Sequence, residues 1–156
     1  MSNRRTRPET VAAVTAAARR HHAAYTLFNQ AMAEQLGLHP TDLQCVSLLG
    51  LEPRPRTTGE IAELTGLTSG SASRLVDRLE RAGLVERRPD AGDRRKMLVS
   101  LTARRNPELE AAWETPGRAF AQALDDFTDD ELGVIERYLQ RITEVGSEQT
   151  ERMRRG

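Results

Sequence analysis

Hydroxyls and guanidinium groups between residues 57 and 102 hold most of the chemistry this chain could do. Ser69, Gly70, Ser71, Ser73, Arg74, Asp77, Arg78 and Arg81 share the polar side of a helical pattern whose apolar positions, Ala72, Leu75, Val76, Leu79 and Ala82, recur at spacings of three and four. Small residues at the start of such a helix let its backbone approach closely. Serine and arginine can bond phosphate oxygens or base edges, as a helix inserted end-first into a duplex major groove requires. On an isolated helix the same residues would be ordinary solvated coating, so the neighbouring segments must decide. Thr57, Thr58 and Thr68 stand at expected helix starts, where backbone N–H groups and a hydroxyl suit a phosphate. Arg94 and Arg95 leave the tip Pro89-Asp90-Ala91-Gly92-Asp93, from which a guanidinium can enter a narrow minor groove with its negative potential. Asp93 is an odd neighbour for a polyanion. Its expected role is to orient Arg95, or an arginine of the preceding helix, through an ion pair.

Other reactive groups point to no catalysis. Cys45 is the single cysteine, so no intrachain disulfide forms, and its place in the apolar run Leu43, Val46, Leu48, Leu49 marks it as a small buried hydrophobe. His21 and His22 are adjacent and point about 100° apart on a helix, which suits shared metal chelation poorly. His39 precedes a proline at a helix entry. Asp129, Asp130 and Glu131 stand at a helix start, where dipole complementation explains them. There is no Gly-rich phosphate loop, Gly-x-Ser-x-Gly elbow or Cys-x-x-Cys pair. No catalytic residue, metal ligand or cofactor is expected, and the chain does not read as an enzyme.

The elements that must position these groups are legible. Thr57 and Thr58 are good N-caps with Glu60 and Glu63 behind them, Ile61, Ala62 and Leu64 form an apolar face, and Gly66 can take the left-handed C-terminal conformation. A helix of about eight residues should end near Thr65. Leu67 fills the corner, Thr68 or Ser69 caps the next helix, and Gly83 stops it. Leu84-Val85-Glu86-Arg87-Arg88 and Lys96-Met97-Leu98-Val99-Ser100-Leu101 then alternate as the two strands of a hairpin, with Leu84, Val99 and Leu101 packing on the helices.

These motifs resemble the MarR family of winged-helix transcriptional regulators across residues 36–139. Leu36-Gly37-Leu38-His39-Pro40-Thr41-Asp42-Leu43-Gln44 is similar to its second-helix entry. Gly59-Glu60-Ile61-Ala62, Thr65-Gly66-Leu67-Thr68 and the run from Leu75-Val76-Asp77-Arg78 to Gly83-Leu84-Val85 resemble its helix-turn-helix. Asp93-Arg94-Arg95 before Leu98-Val99-Ser100-Leu101-Thr102 is similar to its wing, and Phe127-Thr128-Asp129-Asp130-Glu131-Leu132 to its last-helix entry. Ala103-Arg104-Arg105-Asn106 departs from the Pro and Gly the family often has there. The fold expected is mainly α with a small two-stranded β wing: one domain over 1–156, with a DNA-binding lobe at 40–102 and dimerisation helices at 8–36 and 107–147.

The resemblance implies a homodimer with interlocked terminal helices, and the residues carry signs of this. Val11, Val14, Ala18, His22, Tyr25, Phe28, Met32 and Leu36 form a stripe on a pattern free of Gly and Pro from Glu9 to Leu36, about 40 Å long as a helix. Thr128 with Glu131 forms a capping box ahead of a second stripe, Leu132, Ile135, Leu139, Ile142 and Val145. Between them, Asn106-Pro107 reads as N-cap and N1 of a helix carrying Leu109, Trp113, Phe120 and Leu124, and Pro116-Gly117 should kink or restart it. The resemblance also implies a ligand-responsive repressor of a pseudo-palindromic operator, released by a small aromatic or phenolic effector. His22, Tyr25, Phe28, Trp113 and Phe120 could line its crevice, although core packing accounts for each of them as well. Two other readings stand beside this one: a winged helix that binds an acidic protein partner, and a redox-sensing regulator using Cys45, as a branch of the family does with a first-helix cysteine.

Composition agrees with a DNA-binding module. Net charge is zero, but residues 54–105 hold twelve Arg or Lys against seven Asp or Glu, giving +5, while residues 106–156 hold six against twelve, giving −6. Such a division directs a polyanion to one face. No run of about 18 apolar residues exists to span a membrane. The basic start lacks an apolar signal core, residues 1–7 and 147–156 read as frayed polar ends, and a cytoplasmic location is expected.

Overall fold

The computed structural model describes residues 5–102 and 107–156. In chain order the elements are α1 (Arg7–Gln35), α2 (Pro40–Leu51), β1 (Arg56–Thr57), α3 (Thr58–Thr65), α4 (Ser69–Arg81), β2 (Val85–Pro89), β3 (Met97–Leu101), α5 (Pro107–Gln122) and α6 (Asp129–Arg155). The chain divides into two compact units, Met1–Ala112 and Trp113–Gly156.

In the first unit, local chemistry sets each helix end. His39 caps α2, its Nδ1 accepting from the Thr41 N–H at 3.3 Å, which gives this histidine a structural task. Thr57 caps α3 in a reciprocal box: its hydroxyl oxygen accepts from the Glu60 N–H at 3.2 Å, and Glu60 Oε2 accepts from the Thr57 N–H at 2.7 Å. Gly66 closes α3 at φ 71°, the left-handed conformation its missing side chain permits. Thr68 caps α4, and Gly83 follows that helix at φ 70°.

One core binds these elements. Cys45, Val46 and Leu49 of α2 pack with Ile61 of α3, Leu75, Val76 and Leu79 of α4, and Leu84, Val85 and Val99 of the ribbon. Ala72 is also buried, whereas Ala82 is exposed and takes no part in the α4 apolar face expected of it. Leu101 packs on the core while half-buried.

The sheet has three strands where two were expected. Its order is β1-β3-β2, and β1 adds antiparallel to β3 through Arg56↔Val99 and Thr57↔Leu98. Two residues carry no readable alternation, and Arg54-Pro55-Arg56 reads as a loop. The pairing exists because the fold brings the α2–α3 connection alongside β3. Arg56 is buried there, bonds Glu52 at 2.7 Å and leaves its Nε without a partner.

The terminal helices differ from expectation in extent. Arg7 is already helical, because the Glu9 carboxylate accepts from the N–H and hydroxyl of Thr6 at 2.7 and 2.9 Å. Along α1 only Met32 and Ala33 are buried; Val11 and Val14 are exposed, and Phe28 is half-buried. In α5, Pro116 lies inside one continuous helix and restarts nothing. A proline removes one ladder bond, and the Glu114–Arg118 pair at 2.9 Å straddles the gap. Pro107 begins this helix as expected; its proposed cap, Asn106, lies outside the described residues. The α6 helix continues past residue 147 to Arg155 rather than fraying. Arg152, Arg154 and Arg155 face the negative end of its dipole, and Glu151 pairs with Arg155 at 3.5 Å.

Candidate nucleic-acid interface

The polar chemistry of α4 begins at its cap. The Thr68 hydroxyl accepts from the Ser71 N–H at 3.3 Å and donates to Ser71 Oγ at 3.1 Å, and Ser71 Oγ also accepts from Arg74 Nη2 at 3.2 Å. This relay starts at the helix entrance and holds the Arg74 guanidinium near it. Ser69, Gly70, Ser73 and Arg74 are exposed, with Ser73 Oγ bonded back to the Ser69 carbonyl at 3.0 Å. A Cβ at Gly70 would meet no atom within 4 Å, so glycine here leaves approach open from outside.

Arg78 is placed differently from its neighbours. Its Nε and Nη2 donate to Asp42 Oδ2 and Oδ1 at 2.8 and 2.6 Å, a bidentate fork onto a carboxylate that is 2% exposed. That bond holds the guanidinium charged, raising its pKa above the ordinary value. Arg78 therefore locks α4 to the first turn of α2 while part of its side chain stays exposed. Arg87 does the same for the wing, reaching from β2 to Asp77 Oδ1 at 2.6 Å and to Glu80 on α4. Sequence spacing hid both pairs, which join residues 36 and 10 apart.

At the wing tip, Asp90 Oδ1 accepts from the Gly92 N–H at 2.7 Å and fixes the turn. Asp93 orients Arg95, as expected: Oδ1 accepts from the Arg95 N–H at 3.1 Å and from its Nε at 3.2 Å, while the Arg95 side chain remains 92% exposed. Arg94 is exposed beside it. The α3 start carries a carboxylate beside its threonines. Thr57 is spent on its cap, and Glu60 occupies the positive helix end next to Thr58. The Thr57 N–H bond, then Arg54, hold the Glu60 carboxyl down at about 2.

Of the aromatic residues expected to line a crevice, His22 and Tyr25 do. They border a cavity of about 500 Å³ between α1 and α2, together with Asn29, Thr41, Gln44 and Leu51. Phe28 is not on its wall but meets Tyr25 in a tilted ring contact, centroids 5.9 Å apart. Trp113 and Phe120 belong to the second unit. Cys45 is fully buried, and burial, with Asp42 adding, pushes its thiol up to about 11. Among the described residues no His, Cys, Asp and Glu group of metal-binding size occurs, and no helix is long and apolar enough to cross a membrane.

A MarR family model matches residues 36–96, the stretch from the α2 entry to the wing tip. The uncharacterized HTH-type transcriptional regulator YcgE of Bacillus subtilis (strain 168) is 35% identical over 155 residues, 99% of each chain. The chain belongs to the MarR family. A MarR family protein from Bacillus stearothermophilus has a similar structure, with TM-score 0.67 at 26% identity, covering 92% of this chain and 99% of that one. The F27L mutant of S. aureus MepR, bound to an oligodeoxyribonucleotide, shares the fold at TM-score 0.56 and 20% identity, over 84% and 96% of the two chains. As a MarR-family member the protein is a DNA-binding transcriptional regulator and not an enzyme.

Proposed function

We propose that the protein works as a homodimeric repressor on a pseudo-palindromic operator, with Ser69, Ser71, Ser73 and Arg74 at the major groove, Thr68 and Arg78 at rim phosphates, and Arg94 and Arg95 in the minor groove. The observation that carries the dimer is the bare apolar face of α6. This 27-residue helix has no buried residue, while Val134, Leu139 and Ile142 are 55%, 49% and 48% exposed. A helix of this composition gains most of its stability by covering such a stripe. Val11 and Val14 on α1, 53% and 45% exposed, are in the same position. A second copy covers both, which makes the helices within residues 8–36 and 107–147 the dimerisation elements. A two-fold dimer sets half-sites about 10 to 10.5 bp apart. A small aromatic effector in the crevice bordered by His22 and Tyr25 relieves binding.

Selection of bound duplexes from a random pool, with titration at several salt concentrations, tests this reading. An enriched inverted repeat and a steep salt slope are expected. A monomer in sedimentation, or no enrichment at all, overturns it.

A further inference from the structure

The α1–α2 crevice differs from the rest of the surface in charge. Asp, Glu, Lys and Arg make up 29% of the chain, yet none of them is among the residues bordering this cavity. His22, Tyr25, Thr41, Gln44 and Ser47 supply polar atoms between the apolar surfaces of Leu48 and Leu51. Ser47 Oγ is turned back to the Leu43 carbonyl at 3.0 Å and Asn29 Nδ2 to the Pro40 carbonyl at 3.2 Å, whereas the side chains of His22, Thr41 and Gln44 make no hydrogen bond among the described residues. The positive end of α2 does not change the charge preference. Pro40 has no N–H, the Thr41 N–H is taken by His39, and Asp42 sits in the same turn. A carboxylate entering here would lose water without meeting a lysine or arginine, and an uncharged aromatic molecule would lose little.

Helix α2 has two faces. Thr41, Gln44, Ser47, Leu48 and Leu51 border the crevice; Asp42, Cys45, Val46 and Leu49 are buried against the core that includes α4. Asp42 lies between crevice residues in the first turn and grips Arg78 of α4 through both oxygens. Resting on the effector-responsive operator reading above, we infer that the crevice receives an uncharged, hydrogen-bonding aromatic ligand and that the Asp42–Arg78 fork passes its presence to the recognition helix.

The probes are 4-hydroxybenzamide and its anionic counterpart 4-hydroxybenzoate, titrated into the full chain without DNA and followed by the amide NMR signals of Thr41, Gln44 and Ser47. The amide should bind at least about tenfold more tightly. Equal binding of the carboxylate overturns the charge class, and no shift with either probe at about 10 mM overturns the site. Operator affinity is then compared with and without saturating 4-hydroxybenzamide. A several-fold weakening is expected in the wild type and less than about twofold in Asp42→Asn, which keeps the shape but removes the charge. Arg78→Lys, which keeps the charge but loses the fork, serves if Asp42→Asn does not fold; each variant is its own reference. A full response in either folded variant overturns the coupling. If the wild type binds no duplex, the operator reading fails and the coupling falls with it, while the NMR titration still decides the ligand class.

Discussion

Arg78→Ala should destabilise the protein more than Asp42→Ala, although the two residues share one interaction. The asymmetry comes from exposure: the Asp42 side chain is 2% exposed and that of Arg78 is 42%. Removing Arg78 strands a carboxylate at the edge of the core, and breaking a buried pair from one side typically costs ~3–5 kcal/mol. Because the Arg78 side of this pair is partly in water, which screens the pair and can reach the vacated space, the cost here should fall to ~2–3 kcal/mol. Removing Asp42 lets the guanidinium swing into solvent and regain its hydration. What is lost is then the net worth of a charge-assisted bond, ~1.5 kcal/mol. The double variant has no stranded charge and should cost less than the two singles together, by ~1–2 kcal/mol. Urea unfolding followed by circular dichroism at one fixed protein concentration measures all four corners of the cycle, the fixed concentration being required if the native form is a dimer. Equal single costs, or an additive double variant, would refute the claim that Asp42 depends on Arg78 for its burial.

Three further outcomes test other parts of the molecule. Arg95→Ala should weaken operator binding without unfolding the protein and flatten the salt dependence by about one unit of slope; unchanged affinity would remove the wing from the interface. The Cys45 thiol, held at about 11, is almost entirely protonated at neutral pH, so a maleimide should label native protein only as fast as it opens, and rapid stoichiometric labelling would revive the redox-sensor reading. Glu60 is held at about 2 against an ordinary 4.5, so the stability it contributes is complete above pH 4.5 and disappears as pH falls toward 2. Acid titration of Glu60→Gln should therefore lack part of the wild-type loss across that window, and superimposable curves would show that the capping box does not act through its charge.

The helix-turn-helix was legible because its signals are local. Capping by Thr57 and Thr68, left-handed turns at Gly66 and Gly83, and three-to-four spacing of Leu75, Val76 and Leu79 each involve residues within one or two turns of each other. A polar tail and an internal proline carry the opposite local signals to the structure they adopt. The α6 tail is polar and still helical because its charges pair along the helix and suit its dipole, and Pro116 is absorbed by the helix on both sides of it.

The sequence by itself determined the order of the helices, the ends of α3 and α4, the ribbon with its fixed tip, and the hydroxyl and guanidinium groups that α4 and the wing carry, since all of these depend on backbone preferences and short-range hydrogen bonds. Tertiary structure alone decided which arginines brace one element against another. Arg78 and Arg87 look like Arg74 and Arg95 in the sequence, but folding brings Asp42 to the first and Asp77 with Glu80 to the second, and turns both arginines into struts that set the angle of the recognition helix and the wing. Tertiary structure also made β1 a strand and separated His22 and Tyr25, on the wall of a crevice, from Phe28 behind them. Pairings across long stretches of chain depend on the packing of whole elements, and no spacing rule within one segment records them.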